Sequence, residues 1–215
     1  IWMPTPGQAL AISSDMLVEG RHFLSTVDPA ALGHKALAVN LSDLAACGAT
    51  PCAFTLALAL PQADDAWLRG FAQGLWALAD AHGCELIGGD TTRGPLTIAI
   101  TVWGELPPGQ ALLRSAAQVG DDIYISGAVG QARMALEVFR GQLRLPSDAF
   151  ERARVHILRE QVACFGAIKT QGARNTLGGI GAHKNALFVN FAIDVQRHGA
   201  SGLMRQVHAR CEGGT

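Results

Sequence analysis

The chain has 215 residues, of which 49% are hydrophobic and 16% are charged, as in globular proteins that bury a core. We find no apolar run of membrane-spanning length, and the opening residues IWMPTPGQAL lack the basic and apolar regions of a signal peptide. The net charge of −1 is unevenly spread, because residues 1–150 carry −6 and residues 151–215 carry +5. We therefore predict a first domain over residues 1–150 and a divergent tail over residues 151–215.

The cysteines are odd in number and form no Cys-x-x-Cys pair. They are Cys47, Cys52, Cys84, Cys164 and Cys211. This spacing argues against a structural zinc site and favours free thiols in a reducing compartment. We therefore expect a cytoplasmic protein.

The first predicted strand lies in QALAISSDML. Apolar and small residues alternate through Leu10 and Ile12, and the strand is predicted to end in the polar run Ser13-Ser14-Asp15. This interpretation places hydroxyl and carboxylate groups at the end of a strand.

Two helices follow with strong end signals. The first, DPAALGHKALAVNLSDLAACG, has Asp28 as its N-cap and Gly48 after its last turn. The second, DDAWLRGFAQGLWALADAHG, has Asp64 or Asp65 as its cap and ends at Gly83. Both segments place apolar residues at helical spacing, which predicts that one face of each helix packs on a core.

The remaining strands are read from their apolar patterns. The segment PCAFTLALAL is a continuous apolar run, which predicts a strand buried on both faces. We predict a short buried strand in CELIGGD and a strand of alternating apolar and polar residues in LTIAITVWGEL. A loop, PPGQALLRSAAQVGDD, then leads to a strand in IYISGAVG and a helix in QARMALEVFRG. The order β-α-β-α-β-β, loop, β-α predicts an α/β (α+β) fold in which helices cover a split β-α-β sheet.

Three carboxylates are candidates for ligand binding. Asp15 and Asp90 are predicted to follow strands, where α/β folds place ligand sites. Asp43 lies in an apolar helix, three residues after Asn40, and a charge there calls for a partner. Hydroxyl groups accompany these carboxylates at Ser13, Ser14, Thr91 and Thr92. Such an oxygen-rich set suits Mg²⁺, which also binds waters and substrate phosphates.

Glycine and arginine residues complete a possible phosphate site. Gly88 and Gly89 would let the backbone approach a phosphate closely. Arg93 and Arg114 could neutralise phosphate charge through paired hydrogen bonds.

Each candidate also has an ordinary structural explanation. Asp15 could cap a turn, Asp43 could face solvent, and GGDTT could be a turn closed by an Asx hydrogen bond. His22 and Arg114 could be solvated surface residues. The spacing alone leaves both interpretations open.

Five segments resemble the thiamine-monophosphate kinase family, which belongs to the superfamily of aminoimidazole ribonucleotide synthetase. They are AISSDMLVEGRHFL, KALAVNLSDLAACGATP, LPQADDAWL, LIGGDTTRGPL and VGDDIYISGAVG. The resemblance covers about residues 8–140. It implies the N-terminal domain of that fold, homodimerisation through the sheet, and Mg²⁺-dependent transfer of the γ-phosphoryl group of ATP to thiamine monophosphate, with no role for nucleic acid or membrane.

The resemblance also implies roles for individual residues. Ser13, Ser14 and Asp15 would be Mg²⁺ ligands, Asp43 would bridge several ions, and Asp90 would contact both a metal and ATP. No residue is assigned as a chemical catalyst.

The remaining implied contacts are with the two substrates. Gly89 would contact ATP together with Asp90, and Arg114 would reach the ATP phosphates. His22 would contact the phosphate of thiamine monophosphate.

Two family motifs have no full counterpart in the sequence. A GDDAA-type motif would precede the first strand, so we expect the start of the domain to be missing. An IDxSDGL motif would follow the domain, but only Ile193-Asp194-Val195 echoes it. We interpret residues 151–215 as a disrupted start of a second domain, for example through a shifted reading frame. The tail lacks interleaved aromatic residues, which argues against a nucleic-acid-binding arm.

Two other functions fit the same residues. One is phosphoryl transfer to a different acceptor by another enzyme of the superfamily. The other is a non-catalytic nucleotide-binding or dimerising fragment.

Overall fold

The computed structural model describes residues 1–116, 122–124, 130–159, 167–168 and 186–188. The chain divides into two compact units, and the first contains Ile1–Ala111. Of the described residues after 111, residues 158–159 belong to the first unit and the others belong to the second. We describe each unit by itself.

The first unit is built on a four-stranded sheet. Its strands are β1 (Ala9–Val18), β2 (Thr50–Leu60), β3 (Glu85–Arg93) and β4 (Thr97–Leu106). They lie in the order β1-β4-β2-β3, with β4 antiparallel to both of its neighbours and β2 parallel to β3. Consequently β1, β2 and β3 share one direction, and β4 lies between β1 and β2. This arrangement confirms the predicted split β-α-β sheet.

Two helices connect these strands. They are α1 (Pro29–Cys47) and α2 (Asp65–His82). The carboxylate of Asp28 accepts the Ala31 N–H at 2.9 Å, and that of Asp64 caps α2 in the same way. Gly48 and Gly83 end the helices in the left-handed conformation. The end signals read from the sequence are confirmed at all four helix ends, with Asp64 as the cap of α2.

The core lies between the helices and one face of the sheet. Every second residue of β4 is buried, as its alternating sequence predicted. The least exposed large side chains, each below 2%, are Phe54, Leu32, Leu37, Leu44, Ile98, Ile100, Val102 and Asn40. Removing this much apolar surface from water is the main source of stability for the unit.

Neither α1 nor α2 covers the opposite face of the sheet. Ile12 and Met16 on this face have exposed fractions of 61% and 57%. We call this surface the open face, defined by Leu10, Ile12, Ser14, Met16, Ala57, Ala99, Thr101 and Trp103. It is a contiguous surface with large apolar side chains, and such surfaces often bind another protein.

Three strand predictions from the sequence are wrong in detail. The first strand continues to Val18, so Ser13, Ser14 and Asp15 lie inside it. The polar run stays in the sheet because every residue of β1, from Ala9 to Val18, pairs with a residue of β4. The apolar strand β2 is buried mainly on its helix-facing side, since Ala57 on the open face is exposed, although Ala53 on that face is fully buried. The strand β3 is an exposed edge strand that extends to Arg93, so Asp90 lies within it.

The elements after residue 111 are short, and all of their residues except 158 and 159 belong to the second unit. They are a 3₁₀ helix (Arg114–Ala116), β5 (Asp122–Tyr124), α3 (Gln131–Phe139), α4 (Ser147–Arg159), β6 (Ala167–Ile168) and β7 (Ala186–Phe188). The strands β5, β7 and β6 form a sheet in that order. The rings of Phe139 and Phe150 meet edge to face at 5.3 Å. The helix α4 crosses residue 150, where we placed the change in charge.

The cysteine and membrane predictions can be assessed for part of the chain. Cys47, Cys52 and Cys84 are free thiols, as expected, whereas Cys164 and Cys211 lie outside the described residues. Asp194 also lies outside them. Within the described ranges, no helix combines the length and apolar character needed to cross a membrane.

Candidate functional site

Polar side chains of β1 and α1 meet on the helix-facing side of the sheet. The Ser13 hydroxyl donates a hydrogen bond of 2.7 Å to Oδ2 of Asp43, and the Asp15 N–H donates to Oδ1 of Asn40 at 3.1 Å. The fully buried Asn40 amide in turn donates to the Ala36 carbonyl at 3.1 Å. We call Ser13, Asp15, Asn40 and Asp43 the β1–α1 cluster.

The local geometry of both elements explains this convergence. Residues two apart in a strand share a face, which aligns Ser13 with Asp15, and residues three apart in a helix share a face, which aligns Asn40 with Asp43. The prediction that Asp43 requires a partner is confirmed by its hydrogen bond with Ser13.

Two carboxylates in this cluster act on each other electrostatically. Partial burial raises the pKa of Asp15, the nearby Asp43 carboxylate raises it further, and His22 opposes the change. A like charge at close range disfavours ionisation of Asp15 unless a cation lies beside it. The cluster therefore gathers carboxylate, hydroxyl and amide oxygens at one place.

His22 lies in a tight turn directly after β1. The backbone N–H of Val18 donates to Nδ1 of His22 at 2.9 Å, so this nitrogen is unprotonated and the neutral ring carries its proton on Nε2. Burial lowers the pKa of His22, with contributions from Lys35 and Arg21, while Asp15 acts in the opposite direction. The imidazole is thus close to the β1–α1 cluster and presents a donor at Nε2.

Ser14 has a different orientation from its neighbours. Its hydroxyl forms a hydrogen bond of 2.9 Å with that of Thr101 on β4, across the open face. The structure therefore brings Ser13 and Asp15 to Asp43, and it places Ser14 on the other side of the sheet.

Gly89 and Asp90 lie on β3, at the far edge of the sheet from β1. Along the register, Asp15 pairs with Ile100, which pairs with Leu56, which pairs with Gly89. Three strand spacings separate the two edges, or about 14 Å. Asp90 is exposed and pairs with Ala57 of the open face. One copy of the first unit thus keeps Asp90 apart from the β1–α1 cluster.

No group of three or more His, Cys, Asp or Glu side chains in the described part of the chain is arranged to hold a metal ion. Any metal at the β1–α1 cluster would therefore have two carboxylates from this unit. Its other ligands would be hydroxyl groups, waters, substrate or further protein groups. That composition is typical of Mg²⁺ sites, which keep several waters and bind phosphate oxygens.

A glycine is required at position 89 because the backbone of β3 lies very close to that of β2 there. Its φ of 148° is rare for other residues, and a side-chain carbon would overlap the Leu56 carbonyl oxygen. The strand can approach this closely only without a side chain. The result is an exposed stretch of edge backbone beside Asp90.

We predict that Gly89→Ala lowers the free energy of unfolding by about 2 kcal/mol, because an edge strand can shift only part of the way from its neighbour. Urea denaturation of the variant would measure this. The matched control is Gly88→Ala, since a side chain there would meet only Thr55 Cγ2, at 4.0 Å. Equal stability of the two variants would contradict the prediction.

Arg114 begins the 3₁₀ helix of the second unit. Its side chain lies outside the described residues, so its predicted contact with ATP phosphates stays a prediction.

Lys35 is a residue that the sequence reasoning did not select. Its Nζ donates to the His22 carbonyl oxygen at 3.1 Å, and burial lowers its pKa. The same signal that singled out Asp43, a charged residue within an apolar helix, also applies to Lys35.

Residues 1–106 match the family model "AIR synthase related protein, N-terminal domain". The match agrees with the split β-α-β sheet and its covering helices.

Several curated and solved relatives of the chain are thiamine-monophosphate kinases. The chain is 51% identical over 141 residues to thiamine-monophosphate kinase of Salmonella typhimurium, covering 66% of this chain and 43% of the relative. The crystal structure of thiamine-monophosphate kinase from Stenotrophomonas maltophilia is 45% identical, with a TM-score of 0.68, over 73% of this chain and 51% of that one. The structure of AaThiL complexed with AMPPCP and TMP is 28% identical, with a TM-score of 0.66, over the same shares.

The chain spans about half the length of these relatives. The similarity to thiamine-monophosphate kinases thus concerns their N-terminal part, as the sequence motifs predicted.

Proposed function

We propose that the protein takes part in the ATP-dependent phosphorylation of thiamine monophosphate to thiamine diphosphate. The observation that carries this proposal is the convergence of Ser13, Asp15 and Asp43 beside His22, in a domain similar to that of AaThiL, which was solved with AMPPCP and TMP. AMPPCP is an analogue of ATP. Phosphoryl transfer depends mainly on positioning and on neutralising charge, and these residues offer groups for both.

Magnesium fits the β1–α1 cluster. Asp15 and Asp43 would hold the ion, with the Ser13 hydroxyl as a neighbouring oxygen ligand. A cation here would stabilise the ionised form of Asp15, whose pKa is raised by burial and by the Asp43 carboxylate. When bound, Mg²⁺ neutralises charge on the phosphates that are brought together.

The nucleotide is assigned to β3. Gly89 and Asp90 would contact ATP, with Asp90 also near a metal, and Arg114 would reach the ATP phosphates. The exposed edge backbone beside Gly89 supports this assignment, because backbone N–H groups at such positions bind phosphate oxygens. Ser14 is the least favoured of the proposed ligands, since its hydroxyl bonds to Thr101.

A homodimer through the open face would complete the arrangement. The face exposes Ile12 and Met16, and burial of such side chains stabilises association. Because Asp90 and Ser14 lie on the side of this face, a second copy there would approach both of them. We further propose that the protein is cytoplasmic, that residues 1–150 form the ATP- and Mg²⁺-binding domain, and that residues 151–215 are a disrupted start of the next domain.

The test is thiamine diphosphate formation by this chain with ATP, Mg²⁺ and thiamine monophosphate. We expect turnover that is lost in Asp90→Ala and kept in Asp80→Ala, a variant of an exposed carboxylate on α2. Equal activity of the two variants would contradict the role of Asp90. ATP binding without turnover, from a folded chain, would instead indicate a nucleotide-binding fragment.

Turnover with another phosphate acceptor but none with thiamine monophosphate would assign the chain to a different enzyme of the superfamily. The same assay distinguishes that outcome when aminoimidazole precursors replace thiamine monophosphate.

A further inference from the structure

Lys35 is a partly buried cation beside His22, the residue predicted above to contact the phosphate of thiamine monophosphate. It extends from α1, and its Nζ donates to the carbonyl oxygen of His22 at 3.1 Å. This hydrogen bond ties the turn that carries His22 to the helix that carries Asp43. A lysine ammonium group has three N–H donors, so two remain available for another acceptor.

Lys35 is a cation with limited exposure to solvent. In the part of the chain that the structure describes, no ion pair joins it to a carboxylate, and its Nζ donates to one backbone carbonyl oxygen. A partly buried cation is stabilised when an anion pairs with it. A bound anion would therefore stabilise Lys35 at this position.

Other basic groups lie close to the same place. Arg21 directly precedes His22 in the turn, and Lys35 donates to the His22 carbonyl oxygen at 3.1 Å, so the three residues lie near one another. We call Arg21, His22 and Lys35 the basic cluster. Asp15 also acts on His22, so the basic cluster adjoins the β1–α1 cluster through that ring.

The β1–α1 cluster and the basic cluster carry opposite charges, and this arrangement suits a phosphoryl group bound beside a metal ion. The carboxylates of the β1–α1 cluster attract a cation, and the basic cluster attracts an anion. A phosphate bound to Lys35 and His22 would also lie near a cation held by Asp15. A compact ammonium group binds a phosphate oxygen well as a point charge.

We propose that Lys35 binds the phosphate of the acceptor substrate and, through the His22 carbonyl, holds the His22 turn in position for the same group. The naming of the acceptor rests on the proposed function above, whereas phosphate binding by the basic cluster does not depend on it.

The experiment compares the full chain with Lys35→Met, Lys35→Arg and the control Arg69→Met. Arg69 is an exposed cation on α2 whose ion pair with Asp65 is long, at 3.9 Å. Calorimetry and ³¹P NMR would measure the affinities for inorganic phosphate, thiamine monophosphate and unphosphorylated thiamine. Circular dichroism would verify folding of each variant.

Lys35→Met is expected to weaken binding of inorganic phosphate and thiamine monophosphate by about tenfold to hundredfold, the range for a charged hydrogen bond. Its affinity for thiamine should not change, because thiamine has no phosphate. Lys35→Arg should retain more phosphate affinity than Lys35→Met, and it keeps the test valid if the methionine variant fails to fold. Arg69→Met should bind as the unmodified chain does.

Two results would overturn the inference. One is the absence of phosphate binding by the unmodified chain, and the other is an unchanged affinity in Lys35→Met. If phosphate binding depends on Lys35 but thiamine monophosphate binds no better than inorganic phosphate, the assignment of Lys35 stands and the proposed acceptor is wrong.

Discussion

Gly74→Ala is expected to lower the free energy of unfolding by about 3 kcal/mol, at the upper end of the range for overpacked cores. Gly74 lies where α2 contacts α1, and a side-chain carbon there would overlap the carbonyl oxygen of Ala30. Gly33 makes the reciprocal contact, since a side chain at that position would overlap the Phe71 carbonyl oxygen. Backbone atoms of a packed helix cannot move aside unless the whole helix shifts. The variant therefore has to separate the two helices that cover the sheet.

Gly70→Ala is the matched control in the same helix. A side-chain carbon there would lie 3.1 Å from Cβ of Pro29, a contact with one side chain that small movements can relieve. Alanine also favours helix over glycine by about 1 kcal/mol. Urea denaturation should show Gly70→Ala close to the unmodified chain and Gly74→Ala far below it. Similar midpoints for the two variants would show that the helices are not packed as closely as described.

Asp43→Asn is expected to reduce the proposed phosphoryl transfer to thiamine monophosphate by about a thousandfold. A metal contributes several kcal/mol of charge stabilisation in such reactions, and each 1.36 kcal/mol corresponds to a factor of ten in rate. The side-chain oxygen of asparagine can accept a hydrogen bond from the Ser13 hydroxyl, as Oδ2 of Asp43 does at 2.7 Å. The substitution thus removes charge while the local packing is retained.

The effect should be measured as thiamine diphosphate formation over a range of Mg²⁺ concentrations. Asp80→Asn, a change of the same chemistry on the exposed side of α2, is expected to leave the rate unchanged. A rate in Asp43→Asn within tenfold of the unmodified chain would remove Asp43 from the metal site. Matching thermal stability of the two variants would exclude unfolding as the cause of a loss.

Local signals in the sequence determined much of the first unit. The helix ends at Asp28 and Gly48 follow from hydrogen bonds and backbone conformations within a few residues of each other, and the structure confirms them. The alternation in β4 likewise determined which of its residues are buried. The split β-α-β order follows from the sequence of elements. Asp43 could also be identified from the sequence, because a charged residue within an apolar helix needs a partner.

Only the tertiary structure decided where the candidate groups lie relative to one another. Pairing with β4 extends β1 beyond Asp15 and places the side chains of Ser13 and Ser14 on opposite faces of the sheet. The sequence alone had predicted a strand end at this polar run. The sheet order places Asp90 on the edge opposite Asp15, and no local pattern encodes which strands become edges. The contact of Lys35 with His22 joins a helix to a turn that is distant in sequence. Such partners are set by packing of the whole unit, so they remain invisible to periodicity and spacing.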